Sequence, residues 1–380
     1  MRLFLFSSVH STSLVSAVCS LRMARFAHWV VSISVVILWA TTGCLGEVGG
    51  ERKPGTTGSG SASGSSSEPP TGPCTKLEKS ISIRSAADMA ALPRTGCYDI
   101  LGKLTLQGSS ITSLAGLDDI NSVDELELAN TGLTAIDTKR PLGIFGRLTV
   151  TGNAKLQNLQ QLSFEIPSTG ILIDDNDALT SLDALDLDDP KLERVNGDLV
   201  ITGNAALPAV SLPKLGAVTG ALTITGNGAL KTIDLSKLAA TGSVEVADNP
   251  QLGSLTGLAV ANLNGDLAIH HNNALTTIGA MSSLYRVTGN LTIDSNPALG
   301  SLAAFTTSIQ FVDHALTITN NQSLTDLGAL KYLKLVGAVA ITNNKNLVSC
   351  RALEIDRCVP HPLASVITTN KDGTCTAICE

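Results

Sequence analysis

Gly197-Asp198-Leu199-Val200-Ile201-Thr202-Gly203-Asn204 is answered 23 residues later by Gly220-Ala221-Leu222-Thr223-Ile224-Thr225-Gly226-Asn227. In each stretch Leu and Ile alternate with other residues. Leu199 and Ile201 point one way and Asp198, Val200 and Thr202 the other, as in a short strand with one buried face. Working outward from this pair, the phrase occurs eleven times. Its first apolar residue falls at Leu104, Leu126, Leu148, Ile171, Leu199, Leu222, Val244, Leu267, Leu291, Leu316 and Val339. The steps are 22, 22, 23, 28, 23, 22, 23, 24, 25 and 23 residues. A period near 23 marks a solenoid, each coil burying its apolar side against its neighbours. About twenty residues between strands is too many for a hairpin, so adjacent strands run parallel.

An Asn follows the strand in nine copies: Asn153, Asn176, Asn204, Asn227, Asn249, Asn272, Asn296, Asn321 and Asn344. The chain must turn there. Asn tolerates unusual backbone angles, and its amide satisfies turn backbone groups. Stacked in register, these amides are expected to bond to one another along the axis as a structural ladder. The Gly before each strand is expected at the opposite corner, with Asp124 or His314 in its place in some copies. A second apolar pair after the Asn, such as Leu299 and Leu302 or Leu324 and Leu327, is expected to line the far wall. Aromatic residues are only 3% of the chain, so the core falls to Leu, Ile, Val and Ala.

The pattern resembles two families. Leu104-Thr105-Leu106 leading to Ser109 and Ile111, and Leu126-Glu127-Leu128 leading to Thr131 and Leu133, resemble leucine-rich repeats with Ser or Thr in the Asn slot. From the third coil an extra residue separates Asn from Leu. That form, intact at Gly289-Asn290-Leu291-Thr292-Ile293, more closely resembles the receptor L domain, the ligand-binding lobe of the insulin and epidermal growth factor receptors. The opening segment from Gly96 and Cys97 to Leu106 is also similar to that domain's first coil. The resemblance covers about residues 74 to 350. Those receptors carry a cysteine-rich domain and a kinase, neither of which is in this sequence, so receptor signalling does not carry over. The expected fold is all-β: one right-handed parallel β-solenoid of about eleven coils with short helical, disulfide-linked caps.

The expected organisation is a leader over 1–44, a Gly/Ser/Pro-rich flexible linker over 45–73, an N-terminal cap over 74–101, the solenoid over 102–349 and a Cys-rich C-terminal cap over 350–380. Arg25, the apolar run Val30 to Ala40 and the small residues after it read as an export signal. That run is too short to span a bilayer comfortably. Ala40-Thr41-Thr42-Gly43-Cys44 resembles a bacterial lipobox, with Thr41 where Leu is usual, and makes Cys44 the expected lipidation site. An ordinary cleaved signal is the alternative. Residues 1–22 form a weaker apolar stretch, explained by a true start at Met23 or by a tandem leader. The linker composition cannot bury a core and suits a tether.

Six cysteines bracket the repeats: Cys74 and Cys97 before, Cys350, Cys358, Cys375 and Cys379 after. In an exported chain this predicts disulfides at both ends. Cys74 with Cys97 is the expected first pair, and the other four allow three connectivities. A four-cysteine zinc site there is disfavoured by spacing. The N-terminal cap is expected to hold a strand at Ile81 and Ile83 and a helix from Ser85 to Leu92 ended by Pro93. The C-terminal cap should hold a helix from Arg351 to Arg357.

The leader holds Arg2, Arg22 and Arg25 and no acid, so the rest carries 23 basic against 33 acidic residues. That balance argues against a nucleic-acid partner. Outward strand positions are small and Thr-rich, interrupted by Glu127, Leu172, Glu245 and Ala268, and poor in the Trp, Tyr and Arg of binding hot spots. The long fourth step gathers Asp174, Asp175, Asp177, Asp183, Asp186, Asp188 and Asp189, of which Asp174, Asp175 and Asp177 are calcium candidates without a calcium-loop motif. Adjacent His270 and His271 are expected on opposite sides of a strand, which argues against a shared metal. Asn290 and Asn321 open N-glycosylation patterns, but Asn321 is already assigned to the turn. No catalytic motif and no cofactor site are found.

The function expected is therefore a non-enzymatic binding or adhesion module on a lipid-anchored envelope protein, at the bacterial outer membrane or cell surface. Its partners would be the membrane through its anchor and a protein or glycan ligand. A structural surface coat without a discrete ligand is one alternative. A carbohydrate-active β-helix enzyme is another, requiring a groove with several acids and a base. A binding module should cluster aromatics or charges, and Tyr285, Phe311, Tyr332 and the acidic fourth coil are where clustering is expected.

Overall fold

A computed structural model describes residues 73–373 except 95, 165–167, 186–191, 280, 282, 304, 306–308 and 361–364. The leader, Cys44, nearly all of the linker, Asp186, Asp188, Asp189, Cys375 and Cys379 lie outside the described residues. The described part is a parallel β-solenoid. All eleven strand positions of the sequence repeat stack in one unbroken register, Leu104 beside Leu126, then Leu148, Ile171, Leu199, Leu222 and onward to Val339. One further rung lies at each end. Ile81–Ile83 pairs before Leu104, and Ser365–Thr368 pairs after Val339, so thirteen rungs are joined by about twelve turns where the repeat alone supplied eleven rungs.

Each coil has three walls. The first is the repeat strand. Its inward residues are buried at every rung, from Leu104 and Leu106 to Val339 and Ile341. The second wall precedes it and carries Val195, Val218, Thr241, Leu263, Val287, Val312 and Val336 in register. Thr241 sits buried in this apolar column because its hydroxyl donates to the carbonyls of Gly220 and Ser243. Ser168 takes the corresponding slot in the fourth coil and donates to Gly146 O at 2.7 Å. The third wall follows the Asn: Ala209–Ser211, Thr232–Leu235 and Gly257–Leu258 pair in parallel, and single bridges continue it through Ser254, Thr277, Ser301 and Asp326. The second apolar pair of the repeat, Leu299 with Leu302 and Leu324 with Leu327, is buried behind this wall as expected.

The repeat Gly is selected by space. A Cβ on Gly220 would lie 2.1 Å from Asp198 Oδ1 and 2.8 Å from the Gly197 carbonyl carbon. On Gly289 it would lie 2.2 Å from Asp266 Oδ1. At these copies adjacent coils meet too closely for a side chain, whereas Asp124, Thr169 and His314 hold the same position in other coils.

The caps continue the sheet. Thr75–Leu77 pairs with the strand Tyr98–Gln107, and the disulfide Cys74–Cys97 ties them with a Cα–Cα distance of 4.9 Å. The helix Ala86–Ala90 starts at Ser85, whose hydroxyl accepts the Asp88 N–H, while the Asp88 carboxylate accepts the Arg84 N–H. Met89 from this helix is buried over Gly116. At the other end the helix Ser349–Cys358 buries Cys350, Ala352 and Ile355. Cys350 and Cys358 are each disulfide-bonded, so neither is a zinc thiolate.

Candidate functional site

The Asn column is the most ordered polar feature of the fold. Asn204 shows the pattern. Its Nδ2 donates to Ile173 O in the coil before (3.0 Å), to Thr202 O two residues back (2.8 Å) and to Asn227 Oδ1 in the coil after (3.2 Å). Its backbone N–H donates to the same Asn227 Oδ1 at 3.1 Å. The geometry repeats from Asn153 to Asn344, and all nine side chains are fully buried. Thr131 opens the ladder by donating to Asn153 Oδ1. Asn370 closes it by accepting from Asn344. The sequence reading missed Asn370 because its strand, Ser365–Thr368, lacks the leading Gly and Leu; the surviving signal is the spacing Ile367 to Asn370, identical to Ile341 to Asn344.

One expectation needs correction. The unusual backbone angle belongs to the residue before each Asn. Gly152, Asp175, Gly203, Gly226, Asp248, His271, Ser295, Asn320 and Asn343 all have φ between 54° and 67°. The ladder Asn is chosen for its amide, and its predecessor absorbs the left-handed turn.

That turn overturns the reading of the histidines. Alternation places His270 and His271 on opposite sides only while the backbone is extended. His271 has φ 56°, which swings its ring back beside its neighbour, and the two Nδ1 atoms lie 3.0 Å apart. Asp248, at the same turn one coil earlier, completes a group of three. Asp174, Asp175 and Asp177 form no such group among the described residues. Asp174 lies in the outward column beside Thr151 and Thr202, where burial, then the charge of Asp175, raises its pKa.

The outward face of the first wall is otherwise plain. Thr202 and Thr225 share a hydrogen bond of 3.0 Å, and Lys103 meets Glu127 at 2.7 Å. Asn321 is buried, so its glycosylation pattern is inaccessible in the folded chain.

Large exposed side chains gather instead on the second wall near the C-terminal end. Arg286, Phe311 and Leu335 stack on successive coils, continuing a column that reads Ala217, Ala240 and Asn262 further back. Tyr285 is 51% exposed and meets Phe311 edge-on, centroids 5.4 Å apart. The Arg286 guanidinium lies over Phe311 at 5.6 Å and is held by both oxygens of Asp313 at 2.8–2.9 Å. Tyr332, 48% exposed, carries the Lys331 ammonium over its ring at 4.9 Å. Parallel coils align Arg286, Phe311 and Leu335 although about 25 residues separate each from the next, and Tyr285 flanks the column.

A pocket lined by Asp326, Lys331, Arg351 and Glu354 adjoins this region and encloses about 120 Å³. Ligand pockets run from about 300 Å³ upward. Its acids are engaged: Glu354 with Arg351 at 3.1 Å, and Asp326 with Ser301 and the Gly328 N–H.

Fold and surface together define a parallel β-solenoid with a disulfide at its N-terminal cap, a buried Asn ladder and, among the described residues, an aromatic–basic patch. Comparison with protein-family models, with curated proteins and with solved structures gave no match.

Proposed function

We propose that this chain is a non-enzymatic binding or adhesion module of the cell envelope, exported and held to the membrane through a lipid on Cys44, and related in kind to receptor L domains. The observation that carries the reading is the patch of Tyr285, Arg286, Phe311 and Leu335. It brings Tyr and Arg, two of the residue types enriched in binding hot spots, together with Phe311 beside the small-residue, Thr-rich first wall. A structural coat protein draws on the uniformity of the Thr-rich first wall, but gives no account of aromatics gathered at one place. The ligand is a protein or a glycan that stacks on Tyr285 and Phe311.

The test is a pull-down from envelope fractions and a glycan array with the exported chain, repeated with Tyr285→Ala/Phe311→Ala. Loss of a hot spot worth about 2 kcal/mol weakens binding about 30-fold. A ligand bound equally by the double variant would overturn the assignment of the patch. Mass spectrometry of the mature N-terminus tests the anchor; any unmodified residue other than Cys44 there would overturn it.

A further inference from the structure

We infer that Asp248, His270 and His271 form a binding site for one divalent metal ion of the zinc or copper(II) class. The inference is independent of the aromatic patch. It rests on three observations.

The first is convergence. Three side chains from two successive coils bring one ligand atom each within 4.8 Å of one another. With Zn–N bonds of about 2.0–2.1 Å, two imidazole nitrogens on one ion stand about 2.9–3.4 Å apart for bond angles between square and tetrahedral. The His270 and His271 Nδ1 atoms stand at 3.0 Å, with their rings nearly perpendicular at 87°. The Asp248 carboxylate lies 3.8 Å from His271 Nδ1, and a rotation of this exposed side chain closes that gap.

The second is what the far side of each ring meets. His270 Nε2 faces Glu245 Oε1 at 3.3 Å, and His271 Nε2 faces Asp294 Oδ2 at 4.0 Å. Metal-bound histidines characteristically donate their other N–H to a carboxylate, which fixes the tautomer and leaves the ligating nitrogen bare. Here His270 Nε2 has a carboxylate at hydrogen-bond distance, His271 Nε2 has one nearby, and the two Nδ1 atoms converge. Asp294 is itself fixed, accepting from the Thr319 hydroxyl and from Asn320 Nδ2 at 2.8 Å.

The third is access and ligand type. The His271 and Asp248 side chains are 53% and 63% exposed, so an ion can enter and exchange, with water completing the coordination. Two imidazoles and a carboxylate select zinc or copper(II), whereas calcium and magnesium require oxygen ligands.

The test is titration calorimetry on the exported chain, stripped with EDTA, using zinc chloride, copper(II) chloride and calcium chloride at pH 7. One zinc or copper ion per chain is expected, with calcium much weaker. His270→Ala and His271→Ala should each weaken binding at least tenfold, and Glu245→Gln should weaken it by about 10–100-fold through the ring it orients. His314→Ala should leave binding unchanged. Electron paramagnetic resonance of the copper form should show two nitrogen ligands in the parent and one in each His variant. Circular dichroism confirms that the variants are folded. No saturable zinc or copper binding, a preference for calcium, or binding undiminished in a variant with both histidines replaced would each overturn the site.

Discussion

Replacing Asn249 by Ala should show what the ladder is worth. Asn249 Oδ1 accepts the Asn227 backbone N–H at 3.0 Å. Its Nδ2 donates to Ile224 O at 2.9 Å, to Ala247 O at 2.8 Å and to Asn272 Oδ1 at 3.3 Å. Alanine orphans a buried N–H, at a cost of about 1–3 kcal/mol, and removes two amide donors whose net contribution is about 0.5–1.5 kcal/mol each. The expected loss is about 2–6 kcal/mol. Asn249→Asp separates hydrogen bonding from packing, because it keeps the shape. One carboxylate oxygen still accepts the Asn227 N–H, but the other then confronts two carbonyls and the Asn272 amide oxygen. At pH 7 this variant should be at least as unstable as Asn249→Ala. Its folded pKa is raised, so its stability should recover as pH falls and the carboxyl regains a proton. Urea unfolding followed by far-ultraviolet circular dichroism measures the change. Hydrogen exchange resolved by peptide shows whether the coils around residue 249 open separately, as a quasi-one-dimensional array allows. An Asn249→Asp protein as stable as the parent at pH 7, or an Asn249→Ala loss below about 1 kcal/mol, would refute the argument that polarity of the amide holds this corner.

Gly226 and Gly220 should part company under the same substitution. Gly226→Asn meets a left-handed position with its nearest neighbour 3.6 Å from a Cβ and should cost under about 1 kcal/mol, while Gly220→Asn forces contacts near 2 Å between coils and should cost several times more in urea unfolding. Asp174→Asn should stabilise the chain at pH 7: burial and Asp175 raise the Asp174 pKa, so the native state suffers from its ionisation once pH rises through the usual Asp value of 3.8 and beyond. Below that value the two proteins should unfold at the same urea concentration. Glu127 works the opposite way, held below its usual range first by Lys103, so Glu127→Gln should lose stability above that range and none at acid pH. Removing the Cys74–Cys97 bridge, whose partners are 23 residues apart, should cost about 3 kcal/mol and loosen the first coil in hydrogen exchange.

The walls were legible because each strand obeys the period-two rule wherever it is extended. Leu199 and Ile201 face in, and Val200 and Thr202 face out, with nothing more than alternation needed. The rule stops at the turn, and that is where the sequence misled: nothing local marks His271 as left-handed, since Asp248, Ser295 and Gly226 hold the equivalent angle with quite different side chains. Alignment of the eleven copies could have placed His271 in the column of Gly203 and Gly226, whose glycines are its visible signature. The aromatic patch was nameable but not assemblable. Arg286, Phe311 and Leu335 line up only through a coil-to-coil register that depends on coil lengths of 25 and 24 residues. The corner glycines were identified correctly as a corner, but their reason, close approach of backbones, depends on the neighbouring coil and is invisible in one copy.

The unbroken register has a consequence for inheritance. Gly203 and Gly226 share a backbone angle, and Asn204 and Asn227 share a set of bonds. Excising Asn204 to Gly226 joins Gly203 to Asn227 and restores the same corner, with the stack shorter by about 4.8 Å, one strand spacing. Duplication of the same segment lengthens it by as much. The height of the stack is thus set in whole coil steps, so recombination can reset how far its C-terminal patch stands from its N-terminal cap without redesigning either end.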